Sequence, residues 1–261
     1  PGIKVDTGVK DLALCPGEKV TEGLDGLGPR LAEYAEKGAR FAKWRAVITI
    51  GEGIPTNACI HANAHALARY AALCQEANIV PIVEPEVLMD GDHTIETCYE
   101  VSEKTFCKVF EELETQGIYL EGMVLKPNMV IPGMDCTNQV DVEEVANRTV
   151  ECLKSSVPSA VPGCAFLSGG QSNEDATAHL NKMNKIFSDL PWNLTFSYGR
   201  ALQAAALKAW SGQEQNIRPG TENIAGIAGL GLAISKSYDN IERDIKYIKN
   251  ISLNQTDIKA F

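Results

Sequence analysis

Gly122-Met-Val-Leu-Lys-Pro-Asn128 sets a lysine near the end of a short apolar run, and five other segments repeat that design. They are Gly2 to Asp6, Ala42 to Ile50, Ile79 to Glu84, Cys164 to Ser168 and Asn193 to Tyr198. Each is rich in Val, Ile, Leu or Phe and ends in polar residues or glycine, as a strand covered on both faces of a parallel sheet does. Between them, Pro55 to Ala77, His93 to Gln116, Asp141 to Lys154 and Asn173 to Leu190 carry apolar residues at helical spacing. Strand followed by helix, repeated, predicts βα units around a parallel sheet.

A second regularity selects among parallel-sheet folds. Lys4, Lys43, Glu84, Lys126 and Ser168 stand at or near the ends of successive strands, separated by 39, 41, 42 and 42 residues. A repeat of roughly 40 residues suits a (β/α)8 barrel, whose active sites gather at the carboxyl ends of the strands. A Rossmann-type sheet needs a glycine-rich first turn, and none follows these runs. The expected fold is therefore α/β, a partial (β/α)8 barrel with about six of its eight βα units. Two more units would need roughly 80 residues, and the reading expects them before residue 1. Such a gap would leave two unpaired sheet edges.

Composition narrows the function. The net charge of −10 disfavours nonspecific contact with nucleic acid or an anionic membrane, but leaves room for a few cations gathered around a small anionic substrate. No apolar run approaches the ~20 residues that cross a bilayer. Eight cysteines without a C-x-x-C pair read as reduced, mostly buried thiols of a cytoplasmic protein.

Charged side chains inside apolar strands are the main anomaly, because lysine and glutamate are rarely buried without a partner. Lys43 and Arg45 are two residues apart, as are Glu84 and Glu86, so each pair faces one side of its strand. If those sides converge with Lys126, neighbouring cations favour its neutral amine, which can attack a carbonyl. A glutamate there can move protons as the adduct dehydrates. The competing explanation is a set of salt bridges at strand ends. A second constellation, Ser168-Gly169-Gly170-Gln171-Ser172 and Ser197-Tyr198-Gly199-Arg200, offers backbone N–H groups and a guanidinium at strand-to-helix turns, which suits a phosphate.

Six motifs carry a resemblance. Gly2-Ile-Lys-Val-Asp6, Phe41-Ala-Lys-Trp-Arg45, Ile82-Val-Glu-Pro-Glu86, Leu125-Lys-Pro-Asn-Met129, Leu167-Ser-Gly-Gly-Gln171 and Tyr198-Gly-Arg-Ala-Leu202 resemble the strand motifs of class I fructose-bisphosphate aldolase, in family order across residues 2–211. The resemblance implies a glycolytic lyase that cleaves fructose 1,6-bisphosphate to dihydroxyacetone phosphate and glyceraldehyde 3-phosphate. It makes Lys126 the Schiff-base lysine, Glu84 its proton carrier with Glu86 beside it, and Lys43 and Lys4 assisting cations. Arg45 would bind the 6-phosphate, while Ser168, Gly169, Ser197, Gly199 and Arg200 would hold the 1-phosphate. It further implies no metal or other cofactor, a cytoplasmic location, no nucleic-acid or membrane partner, and an assembly that is commonly a homotetramer.

Two departures go with it. The family's acidic residue on its first strand, central to carbon–carbon cleavage, has no match in this sequence, which raises the alternative of an inactive fragment that only binds sugar phosphates. From Gly212 to about Lys249 the chain is instead similar to a cysteine desulfurase segment, without that family's catalytic lysine or cysteine loop. The expected division is an aldolase-like barrel over 1–211 and a desulfurase-like tail over 212–261, joined near Ser211. His61 and His65 have helical spacing but lack the glutamate of H-E-x-x-H, so they read as helix-face histidines and no metal site is expected.

Overall fold

The computed structural model describes residues 1–199. Six strands form one parallel sheet in the order β1 (Gly2–Lys4), β4 (Phe41–Ile48), β5 (Val80–Val87), β6 (Val124–Leu125), β7 (Gly163–Phe166) and β8 (Asn193–Phe196). All six coincide with the apolar runs, and neighbours in space are neighbours in the repeat. Helices α2 (Asn57–Glu76), α3 (Ile95–Thr115), α4 (Val142–Ser156) and α5 (Asn173–Ile186) supply the successive crossovers. The sheet does not close among the described residues, so the architecture is a partial barrel. Arg200 and the expected tail, residues 212–261, lie outside the described residues.

The four crossover helices start where the sequence supplies a cap. Thr56, Thr94, Asp141 and Ser172 each accept a hydrogen bond from the backbone N–H three residues on, at 2.8–3.3 Å. Each bond satisfies a donor that the first helical turn leaves open. The inner faces of α2, α3 and α4 bury Leu67, Tyr70, Phe106, Val109, Leu113, Val150 and Leu153 against Trp44, Val83, Leu125 and Phe166 of the sheet. Trp44 and Tyr70 pack with ring centroids 5.5 Å apart. The Tyr70 hydroxyl lies 2.7 Å from the Ala42 carbonyl oxygen and 3.2 Å from that of Ile82, spanning β4 and β5. The core thus lies between sheet and helices, leaving alternate strand residues free to face the other way.

Residues 7–40 depart from the simple repeat. An antiparallel hairpin, β2 (Gly8–Asp11) with β3 (Lys19–Glu22), precedes α1 (Leu27–Glu36). Buried Glu18 accepts from Thr56 N and Oγ1, both at 2.7 Å, and Thr21 Oγ1 donates to the Arg45 carbonyl at 2.7 Å. Long-range polar contacts, not local patterning, hold this hairpin.

Burial raises the thiols of Cys59, Cys74 and Cys164 to about 12, so these cysteines are poor nucleophiles. Among the described residues no helix is long and apolar enough to cross a membrane.

Candidate active site

The centre of the sheet bears its charges in register. Along β4, Ala42, Trp44 and Ala46 are buried, while Lys43 and Arg45 alternate with them. On β5, Glu84 pairs in register with Arg45, and Glu86 with Val47. Leu125 pairs with Val83, so Lys126, the next residue, comes level with Glu84. Its own N–H donates to the Val83 carbonyl at 2.8 Å, which fixes the backbone where the side chain departs.

These positions produce one polar cluster. Lys126 Nζ lies 3.0 Å from Glu84 Oε1, and Lys43 Nζ lies 2.8 Å from Glu84 Oε2. Glu84 is 3% exposed and Lys126 9%. A carboxylate that deep needs partners, and it has two. Arg45 Nε pairs with Glu86 next along, and this bond holds the guanidinium more firmly protonated than usual. The sequence reading expected cations around Lys126 with a glutamate among them; here Lys126 meets Lys43 across the shared Glu84 carboxylate. Glu84 thus pairs through its two oxygens with both ammonium groups.

Lys4 stands apart from this cluster. Although it is in register with Lys43, its ammonium pairs with Asp6, and its side chain is half-exposed. Asp6 is buried, and it also accepts from Gly8 N at 3.2 Å and Arg45 N at 3.4 Å. The sequence motif contained Asp6, but no role was read from it.

Asn128 is a second residue the sequence reading passed over. Val80 N donates to the Arg40 carbonyl and Leu88 N to that of Ile48, so by alternation Pro81, Val83, Pro85 and Val87 face β6. The prolines have no N–H to give on that side, in keeping with a β6 of only two residues. The next donor, Val87 N, is taken at 3.0 Å by Asn128 Oδ1, while Asn128 Nδ2 donates to Ser102 Oγ of α3 at 3.0 Å. Asn128 therefore ties β5, α3 and the segment bearing Lys126 together.

The glycine loops lie at the carboxyl ends of β7 and β8. Leu167 N donates to the Pro127 carbonyl at 3.2 Å and Ser197 N to that of Phe166 at 2.8 Å, carrying the ladder up to Ser168 and Ser197. Gly169 and Gly170 have φ of 61° and 87°, which favour glycine. Gly170 also has Met89 Sδ where a Cβ would meet it at 3.0 Å. The N-terminus of α5 was expected to help bind an anion. Ser172 already takes its Asp175 N–H, and Glu174 and Asp175 put negative charge in its first turn, which opposes an anion there.

His61 and His65 have a partner that spacing alone did not disclose. Glu112 of α3 lies 3.1 Å from each ring, through Oε1 to His61 and Oε2 to His65. Among the described residues no group of three or more His, Cys, Asp or Glu is arranged to hold a metal ion.

Comparison with known proteins agrees with this architecture. The sequence model described as "Glycolytic: Fructose-bisphosphate aldolase class-I" matches residues 1–253, past Ser211. A "Probable fructose-bisphosphate aldolase class 1" of Xanthomonas campestris is 65% identical over 211 residues, which cover 81% of this chain and 63% of that protein. "Fructose-bisphosphate aldolase 4, cytosolic" of Arabidopsis thaliana is 54% identical over 83% of this chain and 55% of its own. A solved fructose-bisphosphate aldolase of Plasmodium falciparum, in complex with TRAP and a small-molecule inhibitor, superposes with a TM-score of 0.80 at 51% identity. That match covers 82% of this chain and 62% of the other. The chain spans 63% of the length of the Xanthomonas relative. With six strands in the barrel order and a family match over nearly its whole length, the chain belongs to the class I fructose-bisphosphate aldolases.

Proposed function

We propose that this chain carries the imine-forming centre of a glycolytic fructose-bisphosphate aldolase, with Lys126 as nucleophile. The observation that supports it most is the contact of Lys126 Nζ with Glu84 Oε1 at 3.0 Å, with Lys43 holding the other oxygen at 2.8 Å. Glu84 takes a proton from the lysine as its nitrogen bonds to the ketone carbon of fructose 1,6-bisphosphate. The nitrogen gives a second proton to the resulting alkoxide, the carbinolamine hydroxyl leaves as water with the proton that Glu84 returns, and an iminium remains. Lys43 stabilises the negative charge that develops on the ketone oxygen as the nitrogen adds. Cleavage of the adjacent carbon–carbon bond sends its electron pair into the iminium, giving an enamine of dihydroxyacetone phosphate and releasing glyceraldehyde 3-phosphate. Glu84, a carboxylate again after dehydration, takes the 4-hydroxyl proton. The iminium is the electron sink, so no metal enters the scheme.

In this reading Glu86 orients Arg45 toward the 6-phosphate, and Lys4 adds positive charge at the rim. Ser168, Gly169, Ser197, Gly199 and Arg200 hold the 1-phosphate. Sugar phosphates are the ligands, further copies of the chain complete a homotetramer, and the location is cytosolic, as the Arabidopsis relative's name states for that protein.

The test is reductive trapping. Borohydride with dihydroxyacetone phosphate should leave a stable mass adduct on Lys126, and Lys126→Met should abolish it. An adduct on another side chain, or none in folded protein, overturns the assignment.

A further inference from the structure

The Ser168 loop carries positive φ at two consecutive glycines and borders a cleft of about 570 Å³ lined in part by Met89, Met134, Gln139, Gln171 and His179. A loop with open space on one side needs a polar tether to keep its donors aimed. One tether runs through two side chains. His179 Nδ1 lies 2.7 Å from Gln171 Oε1, and Gln171 Nε2 donates to the Ser168 carbonyl at 2.9 Å. The Gln171 backbone N–H reaches the same carbonyl at 3.1 Å.

His179 is 8% exposed, on the buried face of α5 beside Ala176 and Met183. Burial lowers its pKa, against a smaller opposing effect of Asp175, so the ring is neutral at physiological pH. A neutral ring has one N–H, and the glutamine oxygen next to Nδ1 places it there. The direction of the chain is then fixed: imidazole N–H to amide oxygen, amide N–H to carbonyl. Neither the glycine motif nor the spacing of charged residues points to a histidine eleven positions beyond Ser168.

We propose that His179 is a positioning residue for the phosphate loop, acting through Gln171 to hold the Ser168 carbonyl, and with it the Ser168 hydroxyl and the following N–H groups, in the geometry that receives the substrate's 1-phosphate. This rests on the reading of Ser168 and Gly169 as phosphate ligands. His179 touches no substrate; its effect is on affinity for the phosphate end, not on the amine chemistry.

Two ketones separate these roles. With dihydroxyacetone phosphate, His179→Leu should raise the concentration for half-maximal borohydride trapping at Lys126 by about tenfold, the effect of one lost ordering hydrogen bond. The saturating yield should be unchanged. With unphosphorylated dihydroxyacetone the half-saturating concentration should not move. His179→Asn, which keeps an N–H near the Nδ1 position, should restore most of the affinity. Gln171→Met should match His179→Leu, and the double variant should be no worse than either. Equal shifts with both ketones, or no shift with either, overturn the inference while leaving the lysine assignment intact. If the wild-type chain forms no adduct, the lysine assignment fails, and amide hydrogen exchange decides the tether separately. Faster exchange over residues 168–171 in His179→Leu but not in His179→Asn sustains it, and unchanged exchange overturns it.

Discussion

The ends of β4, β5 and β6 and the ends of β7 and β8 face one edge of the sheet but are built from different materials. At the first, Lys43, Glu84 and Lys126 form one ionic chain, with Arg45 and Glu86 pairing alongside it. At the second, the interactions among Ser168, Gln171, His179 and Ser197 are neutral hydrogen bonds and backbone N–H groups. Buried charge is costly unless paired, so each ion of the first region depends on the others and on strand register. Among the described residues, the bonds of the second region join neutral groups and leave donors open for a ligand that brings charge.

The largest break in this contrast should come from Glu84→Gln. It leaves Lys43 and Lys126 facing each other without an anion and removes the proton carrier. Trapping at Lys126 should slow by roughly 10²–10⁴-fold, and stability in urea unfolding should fall by about 3–5 kcal/mol. Ser168→Ala should act differently, raising the half-saturating concentration of dihydroxyacetone phosphate about tenfold with little change in the maximal rate. A maximal rate that falls as far as in Glu84→Gln would erase the distinction between the regions.

A pH titration sharpens it. Burial lowers the pKa of both His93 and His179 from the ordinary 6.5. Above that value both rings are neutral, folded or unfolded, and contribute nothing to the pH slope. As pH falls through it the unfolded chain takes up protons first, so folding stability declines. Among the described residues neither His93 ring nitrogen has a partner, so His93→Leu should flatten the loss between pH 6.5 and the lowered folded value, measured as the shift of the urea midpoint. A slope as steep as the wild type's counts against this. The smallest effect should come from Glu112→Gln, whose partners His61 and His65 are exposed. A change beyond about 1 kcal/mol in the same assay would mean that this rim pair resembles the buried cluster after all.

Much of the first region was legible because a lysine or glutamate within a Val-Ile-Leu run violates the expectation for a buried strand. Lys43, Glu84 and Lys126 announced themselves that way, and the spacing of roughly 40 residues gave the sheet its order. Residues of the second kind are common in loops and caps, so Gln171 and His179 violated nothing. Their roles come from α5 folding back against the loop that precedes it. The hairpin was hidden for a related reason: Glu18, Thr21 and Asn63 hold it through contacts 38 to 44 residues apart along the chain. Asp6 lay inside a recognised motif, yet its bond to Arg45 N depends on the register of β1 against β4.

Asn128 has a consequence for what insertions the chain tolerates. Two prolines thin out the donors that index β6 against β5, so the amide that grips Val87 N adds a second detent to the one made by Lys126 N on the Val83 carbonyl. Adding or removing one residue between Lys126 and Asn128 could keep the detent engaged only by turning the lysine toward the helices, or keep the lysine inward only by letting the detent slip. The two-residue step from amine to amide is therefore a fixed gear tooth.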